Sequence, residues 1–347
     1  MDCPTISIGI IALNERAYLP DLLTDIARQD YPAERIELVL VDSGSTDGTR
    51  ELMHRVARKH SYSNVIVADN PGRIQACGWN VFLRRFTGEV AVRVDAHARI
   101  APNFLSAIAA VLAEGEDVVG GPRPAIVPDD AGEWEHVLLK AETSVFGSSP
   151  ANYRGDTRES NGKPQHKQYV NSLFHGAYRR EVVEKVGFAN EALVRTEDND
   201  FYYRVRQAGY RLRFDPRIRS YQLIRPNLRA MVKQKYGNGY WIGRTLFIQP
   251  GSVGKHHLVP LAFVTALGVT GARAAAGKPG WFSAVTGSYA AADALMSASA
   301  QPGDAKTAVT LAGIFPLLHV AYGAGTLVGI ARGSVQYLQC RLCKDER

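Results

Sequence analysis

The sequence predicts an α/β fold: a mostly parallel central sheet covered by helices on both faces, followed by C-terminal helices that associate with a membrane. Three observations predict it. Strand and helix signals alternate over roughly the first 120 residues with short connections, the pattern of parallel strands joined by helical crossovers. The strand signals are continuous apolar runs, as in a sheet buried on both faces. Beyond residue 246 the composition turns apolar over stretches long enough to cross a bilayer.

The elements follow in order. Ser7–Leu13 is an apolar strand ended by Asn14-Glu15, and Leu19–Gln29 has helical spacing. Glu37–Val41 is a second strand, stopping at Asp42 and the turn-rich Ser-Gly-Ser-Thr-Asp-Gly. Thr49–His60 reads as a helix, Val65–Ala68 as a third strand and Gln75–Arg85 as a helix before the turn at Thr87-Gly88. Val90–Val94 is a strand that ends at Asp95. Pro102–Leu112 is a helix and Val118–Val119 a short strand. From Gly147 to Gln168 the chain is rich in Gly, Ser, Asn and Lys without periodicity, which predicts a loop over the sheet of the length that lids and binding elements have. Tyr169–Phe174 follows, then helices at Arg180–Val186 and Asn199–Ala208, a strand at Arg211–Phe214, and a helix at Asn227–Phe247 interrupted by glycines at 237, 239 and 243.

The C-terminal region carries two long apolar stretches. Leu258–Gly271 continues through alanine-rich sequence to Gly277, and Ala308–Ile330 contains no Asp, Glu, Lys or Arg. Between them, Trp281–Ala300 is weaker, with Asp293 and many Ser and Ala. Arg332, Arg341, Lys344 and Arg347 follow the last stretch, and positive flanks favour the cytosolic side. With the large domain also cytosolic, the number of spans is even. The expectation is an α/β domain over 1–245 and a membrane-associated region over 246–347, with spans near 257–277 and 308–331 and the middle segment interfacial or re-entrant. Three spans, or a soluble helical appendage, are the alternatives.

Composition narrows the function. The 347 residues, 46% hydrophobic, can bury a sizeable core, and the net charge of +7 suits an acidic partner such as a nucleotide or an anionic membrane. Nucleic acid fits the charge, but interleaved basic and aromatic motifs are missing. Four cysteines are too few for a disulfide framework, and the Cys340/Cys343 pair lacks two further zinc ligands. The N-terminus carries no basic patch followed by an apolar run and a cleavage site, so it is expected to stay in the cytosol.

Glu15, Asp42 and Asp95 stand at the ends of three predicted strands. In an open parallel sheet those ends face one crevice, where ligands bind. Acids converging there repel one another unless a cation meets them, and a metal ion with a nucleotide fits. Singly, an Asp at a strand end is a turn former. In Asp95-Ala96-His97 a carboxylate and an imidazole two residues apart can reach one divalent ion; Mg2+ prefers oxygen and Mn2+ also tolerates imidazole. The alternative is that His97 is a polar loop residue. Glu197-Asp198-Asn199-Asp200 precedes an amphipathic segment. Capping of a helix dipole explains such acids as well as a positioned general base does.

These motifs resemble the family 2 glycosyltransferases of GT-A fold. The matching residues are Ile8–Glu15 (IGIIALNE), Val39–Thr49 (VLVDSGSTDGT), Val94–His97 (VDAH) and Val186–Tyr210 (VGFANEALVRTEDNDFYYRVRQAGY). Within the family the chain is most similar to membrane-associated glucosyltransferases of succinoglycan type, in VDAHARI and in KYGNGY at Lys235–Tyr240. The resemblance implies that Asp42 accepts a hydrogen bond from uracil, Glu15 helps hold the nucleoside, Arg73 faces the nucleotide, Asp95 binds a divalent metal (Mg2+ or Mn2+) and Asp198 is the catalytic base with Glu197 as its neighbour. Three departures stand out. His97 replaces the second acid of the usual Asp-x-Asp, as in the Asp-x-His metal ligands of polypeptide N-acetylgalactosaminyltransferases. Ile11-Ala12-Leu13 replaces Pro-x-Tyr. Lys235-Tyr236-Gly237 stands where processive relatives carry Gln-x-x-Arg-Trp, which argues against a polymerising synthase.

The resulting expectation is an inverting, non-processive transfer of a hexose from a UDP-sugar, UDP-glucose foremost, to a polyprenyl-linked saccharide. The setting is exopolysaccharide or cell-surface glycan synthesis at the inner (cytoplasmic) membrane, with the catalytic domain facing the cytoplasm. The alternatives are transfer to a polyprenyl phosphate, and a non-catalytic membrane protein that binds a nucleotide sugar and regulates a partner.

Overall fold

A computed structural model describes residues 3–128, 130–147, 168–300 and 304–345, with side chains in the last helix described through Gln339. The expected loop at 147–168 lies outside the described residues apart from its two ends, as do the side chains of Cys340 and Cys343. In chain order the elements are β1 (Ile6–Ala12), α1 (Leu19–Ala27), β2 (Ile36–Asp42), α2 (Thr49–Arg58), β3 (Asn64–Asp69), α3 (Gln75–Leu83), β4 (Val90–Asp95), β5 (Ala98–Ile100), α4 (Phe104–Ala113), β6 (Val118–Gly121), β7 (Ala125–Ile126) and α5 (Glu133–Thr143). They continue as β8 (Gln168–Val170), β9 (Phe174–Arg179), α6 (Arg180–Val186), α7 (Glu197–Gln207), β10 (Leu212–Phe214), β11 (Ser220–Leu223), α8 (Leu228–Ile248), α9 (Val259–Ala275), α10 (Gly280–Ala300) and α11 (Ala305–Asp345). Two compact units result: the described residues of Met1–Pro124 with Tyr153–Leu223, and those of Ala125–Asn152 with Ile224–Arg347.

The first unit is built on an eight-stranded sheet in the order β3-β2-β1-β4-β9-β6-β10-β8. The pairs β1–β2, β1–β4, β2–β3 and β6–β10 are parallel; β9 is antiparallel to both neighbours and β8 to β10. Because side chains alternate along a strand, each central strand feeds two cores. Ile6, Ile8, Ile10, Leu38, Leu40, Val92 and Val94 meet Leu22 and Ile26 of α1 and Phe104 and Ile108 of α4. Ile11, Val39, Val41 and Ala91 meet Trp79 and Phe82 of α3, Val182 of α6 and Phe201 and Val205 of α7. Burial on both faces explains why these strands read as mainly apolar, with Ser7, Glu37 and Arg93 the polar interruptions.

Register decides where the site falls. Ala12 lies opposite Asp42 and Ile11 opposite Asp95, so β1, β2 and β4 end level with one another. Two differences from the sequence reading matter here. Strand β9 occupies a central position between β4 and β6, yet Phe-His-Gly-Ala-Tyr-Arg has no apolar run to announce it; the pairing with Val90–Val92 and Val118–Val119 makes it a strand. Helix α7 begins at Glu197 rather than Asn199, which puts Glu197 and Asp198 in its first turn, where backbone N–H groups lack helical partners.

In the second unit, α8 is capped by Asn227, whose side chain accepts a 2.9 Å hydrogen bond from the Ala230 N–H. Gly239 and Gly243 are contact points rather than interruptions. A Cβ on Gly239 would lie 2.0 Å from the Tyr322 carbonyl oxygen, and one on Gly329 2.0 Å from that of Tyr240, so α8 and α11 touch backbone to backbone through paired small residues. The α11 face also carries Leu311, Ile314, Phe315 and Leu318, which pack with Val137 and Leu138 of α5 and Met231 of α8. Two helical segments, Lys255–Ala275 and Ala305–Gln339, are long and apolar enough to cross a membrane; α10 between them is a continuous helix that does not meet that measure.

Candidate active site

The loops that leave β1 and β2 are laced together. Asp42, 1% exposed at the end of β2, accepts from the backbone N–H of Gly44 and of Ser45, each at 3.2 Å. Gly44 has φ +84°, a conformation that glycine adopts without steric cost and that turns the chain back onto the carboxylate. Arg50 Nη1 lies 3.5 Å from Asp42 Oδ2. Ser45 Oγ accepts from the Asn14 N–H at 3.0 Å, and Asn14 Oδ1 accepts from the Thr46 N–H at 2.8 Å. The Glu15 N–H donates to Thr49 Oγ1 at 2.9 Å. Arg73 donates to the carbonyls of Ser43 and Gly44, both at 3.2 Å, and so braces the loop beside Asp42.

A second group gathers at the end of β4. His97 sits in the connection between β4 and β5, and β5 is held by antiparallel pairing with β11 and by a paired contact from Arg99 to Asp25 at 2.6 and 2.8 Å. His97 Nδ1 lies 3.1 Å from Glu15 Oε1. Asp95 is faced by Arg93 Nη2 (3.5 Å), Arg123 Nη1 (3.2 Å) and His175 Nε2 (3.4 Å). Burial raises the Asp95 pKa, but Arg93, His175 and Arg123 outweigh it and hold the group well below its ordinary value. Burial lowers the His175 pKa, with Asp95 opposing. Both His175 ring nitrogens are buried; Nε2 faces Asp95 without the alignment of a hydrogen bond, and Nδ1 makes none among the described residues.

Arg93 turns the other end of its guanidinium to Glu197, with Nη1 3.2 Å from Oε1. Burial works against the Arg93 charge, but Asp95, Glu197 and Asp198 outweigh it and raise its pKa. Glu197 is 5% exposed; burial pushes its carboxyl up to about 7, Arg93 opposing and Asp198 adding to the rise. Asp198 is partly exposed, its Oδ1 accepting from the Asn199 N–H at 2.8 Å. The two adjacent acids therefore differ: Glu197 faces the protein, and Asp198 is open to a ligand.

Contacts and chain adjacency together link most of the residues singled out in the sequence, with Arg73 to one side on the Ser43-Gly44 turn. The run passes from Asp42 through Ser45 and the Asn14-Glu15 pair to His97 and Asp95, and on through Arg93 to Glu197 and Asp198. Among the described residues, the non-glycine positions with positive φ are Asn14 (57°), Arg73 (57°), His175 (45°) and Thr196 (67°). Each is one of these residues or adjoins one. Asn and His adopt this conformation more readily than most residues, whereas for Arg and β-branched Thr it is strained, and such strain clusters at functional sites.

The donor set fits a divalent ion that a ligand helps to hold. If His97 donates its Nδ1–H to Glu15, its Nε2 lone pair is free, the arrangement usual for a metal-binding imidazole. A carboxylate has room for an ion beside its arginine partners. No cluster of three or more His, Cys, Asp or Glu suited to a metal occurs among the described residues. Asp95 and His97 are the residues that would hold such an ion, with the remaining ligands left to a diphosphate and water.

Sequence reasoning missed Arg93, Arg123 and His175. The available signal was Arg93 itself, a charge inside an otherwise apolar strand and two residues from Asp95, hence on the same face.

A profile of the family described as Glycosyl transferase family 2 matches residues 7–187. The succinoglycan biosynthesis protein ExoA of Rhizobium meliloti (strain 1021) is 25% identical over 260 residues, covering 74% of each chain. A dolichyl N-acetyl-alpha-D-glucosaminyl phosphate 3-beta-D-2,3-diacetamido-2,3-dideoxy-beta-D-glucuronosyltransferase of Methanococcus voltae is 24% identical over 266 residues, 75% of this chain and 78% of that one. Among solved structures, the mannosyltransferase PcManGT from Pyrobaculum calidifontis, in complex with GDP-Man and Mn2+, shares the fold with a TM-score of 0.63 at 22% identity, over 94% of this chain and 88% of that one.

Proposed function

We infer the reaction from family membership: this chain belongs to glycosyl transferase family 2 and is a glycosyltransferase of GT-A-like α/β fold, not a non-catalytic binding protein. The donor is a UDP-hexose, UDP-glucose foremost. The Asp42 carboxylate accepts a hydrogen bond from the base, Glu15 and the Asn14 loop hold the nucleoside, and Arg73 keeps the Ser43-Gly44 turn in place around it. A divalent ion, Mg2+ or Mn2+, held by Asp95 and His97 would neutralise charge on the departing diphosphate. Asp198 accepts the proton of the acceptor hydroxyl, whose oxygen bonds to the anomeric carbon as the bond to the diphosphate breaks. One displacement converts an α-linked donor into a β-linked product.

The observation that carries this reading is the contrast between Glu197, buried against Arg93, and Asp198, open in the first turn of α7 on the same network as Asp95. Mn2+ with a nucleotide sugar in the Pyrobaculum enzyme supports the ion. The acceptor is a saccharide carried on a polyprenyl lipid. The two apolar helical segments and the dolichyl-linked substrate in the name of the Methanococcus enzyme support that choice. We assign transfer to residues 1–245 and membrane association to 246–347, with the catalytic part on the cytoplasmic face.

The test is transfer to lipid-linked acceptors in membranes, with UDP-glucose and GDP-mannose supplied separately, each with Mg2+ or Mn2+. Asp198→Asn lowers turnover by about 100- to 10,000-fold, the range of a lost general base, while UDP affinity stays as in the wild type. Wild-type turnover in Asp198→Asn would overturn the base assignment.

A further inference from the structure

Strand β4 reads Val-Ala-Val-Arg-Val-Asp, and its arginine is the residue without an evident place in a sheet core. Leaving a guanidinium unpaired in such surroundings is costly. Arg93 meets that cost by lying over Trp79, 5.7 Å from the ring centroid, and by facing two carboxylates from different parts of the chain. Nη1 is 3.2 Å from Glu197 Oε1 at the start of α7, and Nη2 is 3.5 Å from Asp95 Oδ1 at the end of β4. The two contacts use different nitrogens of one planar group, so their separation is fixed by the fork itself. Arg123 also faces Asp95, so Asp95 does not depend on Arg93 alone for neutralisation. What Arg93 adds is the connection to Glu197.

We propose that Arg93 is a positioning residue that sets the distance between the diphosphate end of the donor site at Asp95 and the base Asp198, by gripping Asp95 with one nitrogen and Glu197, the neighbour of the base, with the other. The inference rests on Asp198 being the base. It explains why an acid next to the base is buried: Glu197 is the handle by which the first turn of α7 is held to β4. A displaced base costs turnover steeply, since a shift of about 1 Å in a reacting geometry can lower the rate about 100-fold.

The test uses the full-length protein in membranes. Arg93→Lys keeps the charge but replaces the fork with a single ammonium that serves one carboxylate at a time. Positioning predicts UDP and Mn2+ affinities within about threefold of wild type and a kcat, counted per UDP-binding site, lower by about 30- to 100-fold with donor KM little changed. It also predicts that Arg93→Lys combined with Glu197→Ala is no slower than the slower single variant, because both cut the same link. An unchanged kcat per binding site in Arg93→Lys, a loss confined to donor KM, or losses that multiply in the double variant would each overturn the proposal. Asp198→Asn serves as the control. If it is inactive while Arg93→Lys is unaffected, only the positioning role falls; if it turns over normally, the base assignment falls and the positioning role with it.

Discussion

At the scale of single residues, adjacent acids acquire different properties from the rotation of about 100° between consecutive helix positions. Glu197 points inward, where burial raises its pKa to about 7, Arg93 pulling back and Asp198 pushing further up, while an unfolded chain would release that proton near 4.5. Between these values the folded protein holds a proton that the unfolded chain has lost. This contribution to stability is therefore full below about pH 4.5 and fades as pH rises to about 7. Glu197→Gln removes the titrating group, so the thermal midpoint of the variant relative to wild type should climb across that window; a difference that does not vary with pH would contradict the raised value. Asp42 and Asp95 stand out in the sequence because strand ends and a turn motif mark them, whereas Asp198 stands out only as part of an acidic run that helix capping explains equally well, its role coming from the family resemblance. Arg93, Arg123 and His175 were not, because a lone cation or imidazole reads as surface until its partners, up to about a hundred positions away along the chain, are known.

At the scale of elements, the parallel half of the sheet was legible because burial on both faces leaves β1, β2 and β4 mainly apolar. Strand β9 was not, since pairing rather than composition defines it. Gly239 and Gly243 of α8 were visible but their meaning was not: they mark where another backbone approaches. Filling that contact should be destabilising. Gly329→Leu drives a side chain into the Tyr240 carbonyl and should cost about 3 kcal/mol or more, seen as a lower thermal midpoint in detergent. Gly313→Leu, on the same helix where a Cβ meets nothing within 4 Å, is the matched control and should be close to neutral. Equal losses from both would mean that the small residues do not mediate the packing.

At the scale of the whole molecule, an α/β fold is followed by two helical segments long and apolar enough to cross a bilayer, in keeping with the lipid-borne acceptor proposed for this glycosyltransferase. Two apolar helical segments predict that the full-length chain stays with the membrane pellet through alkaline carbonate washing; release into the supernatant would contradict membrane insertion. The proposed site depends on strand register ending β1, β2 and β4 level, which brings Asp42 and Asp95 to one edge, and on the Arg93–Glu197 contact holding the first turn of α7 beside them. Calorimetric titration of UDP, with and without Mn2+, into the wild type, Asp95→Asn and Asp198→Asn tests this most directly. A shared, cation-assisted nucleotide site predicts binding that strengthens with Mn2+, a loss of about tenfold or more in Asp95→Asn, and near wild-type binding in Asp198→Asn. UDP affinity indifferent both to the ion and to Asp95→Asn would contradict it.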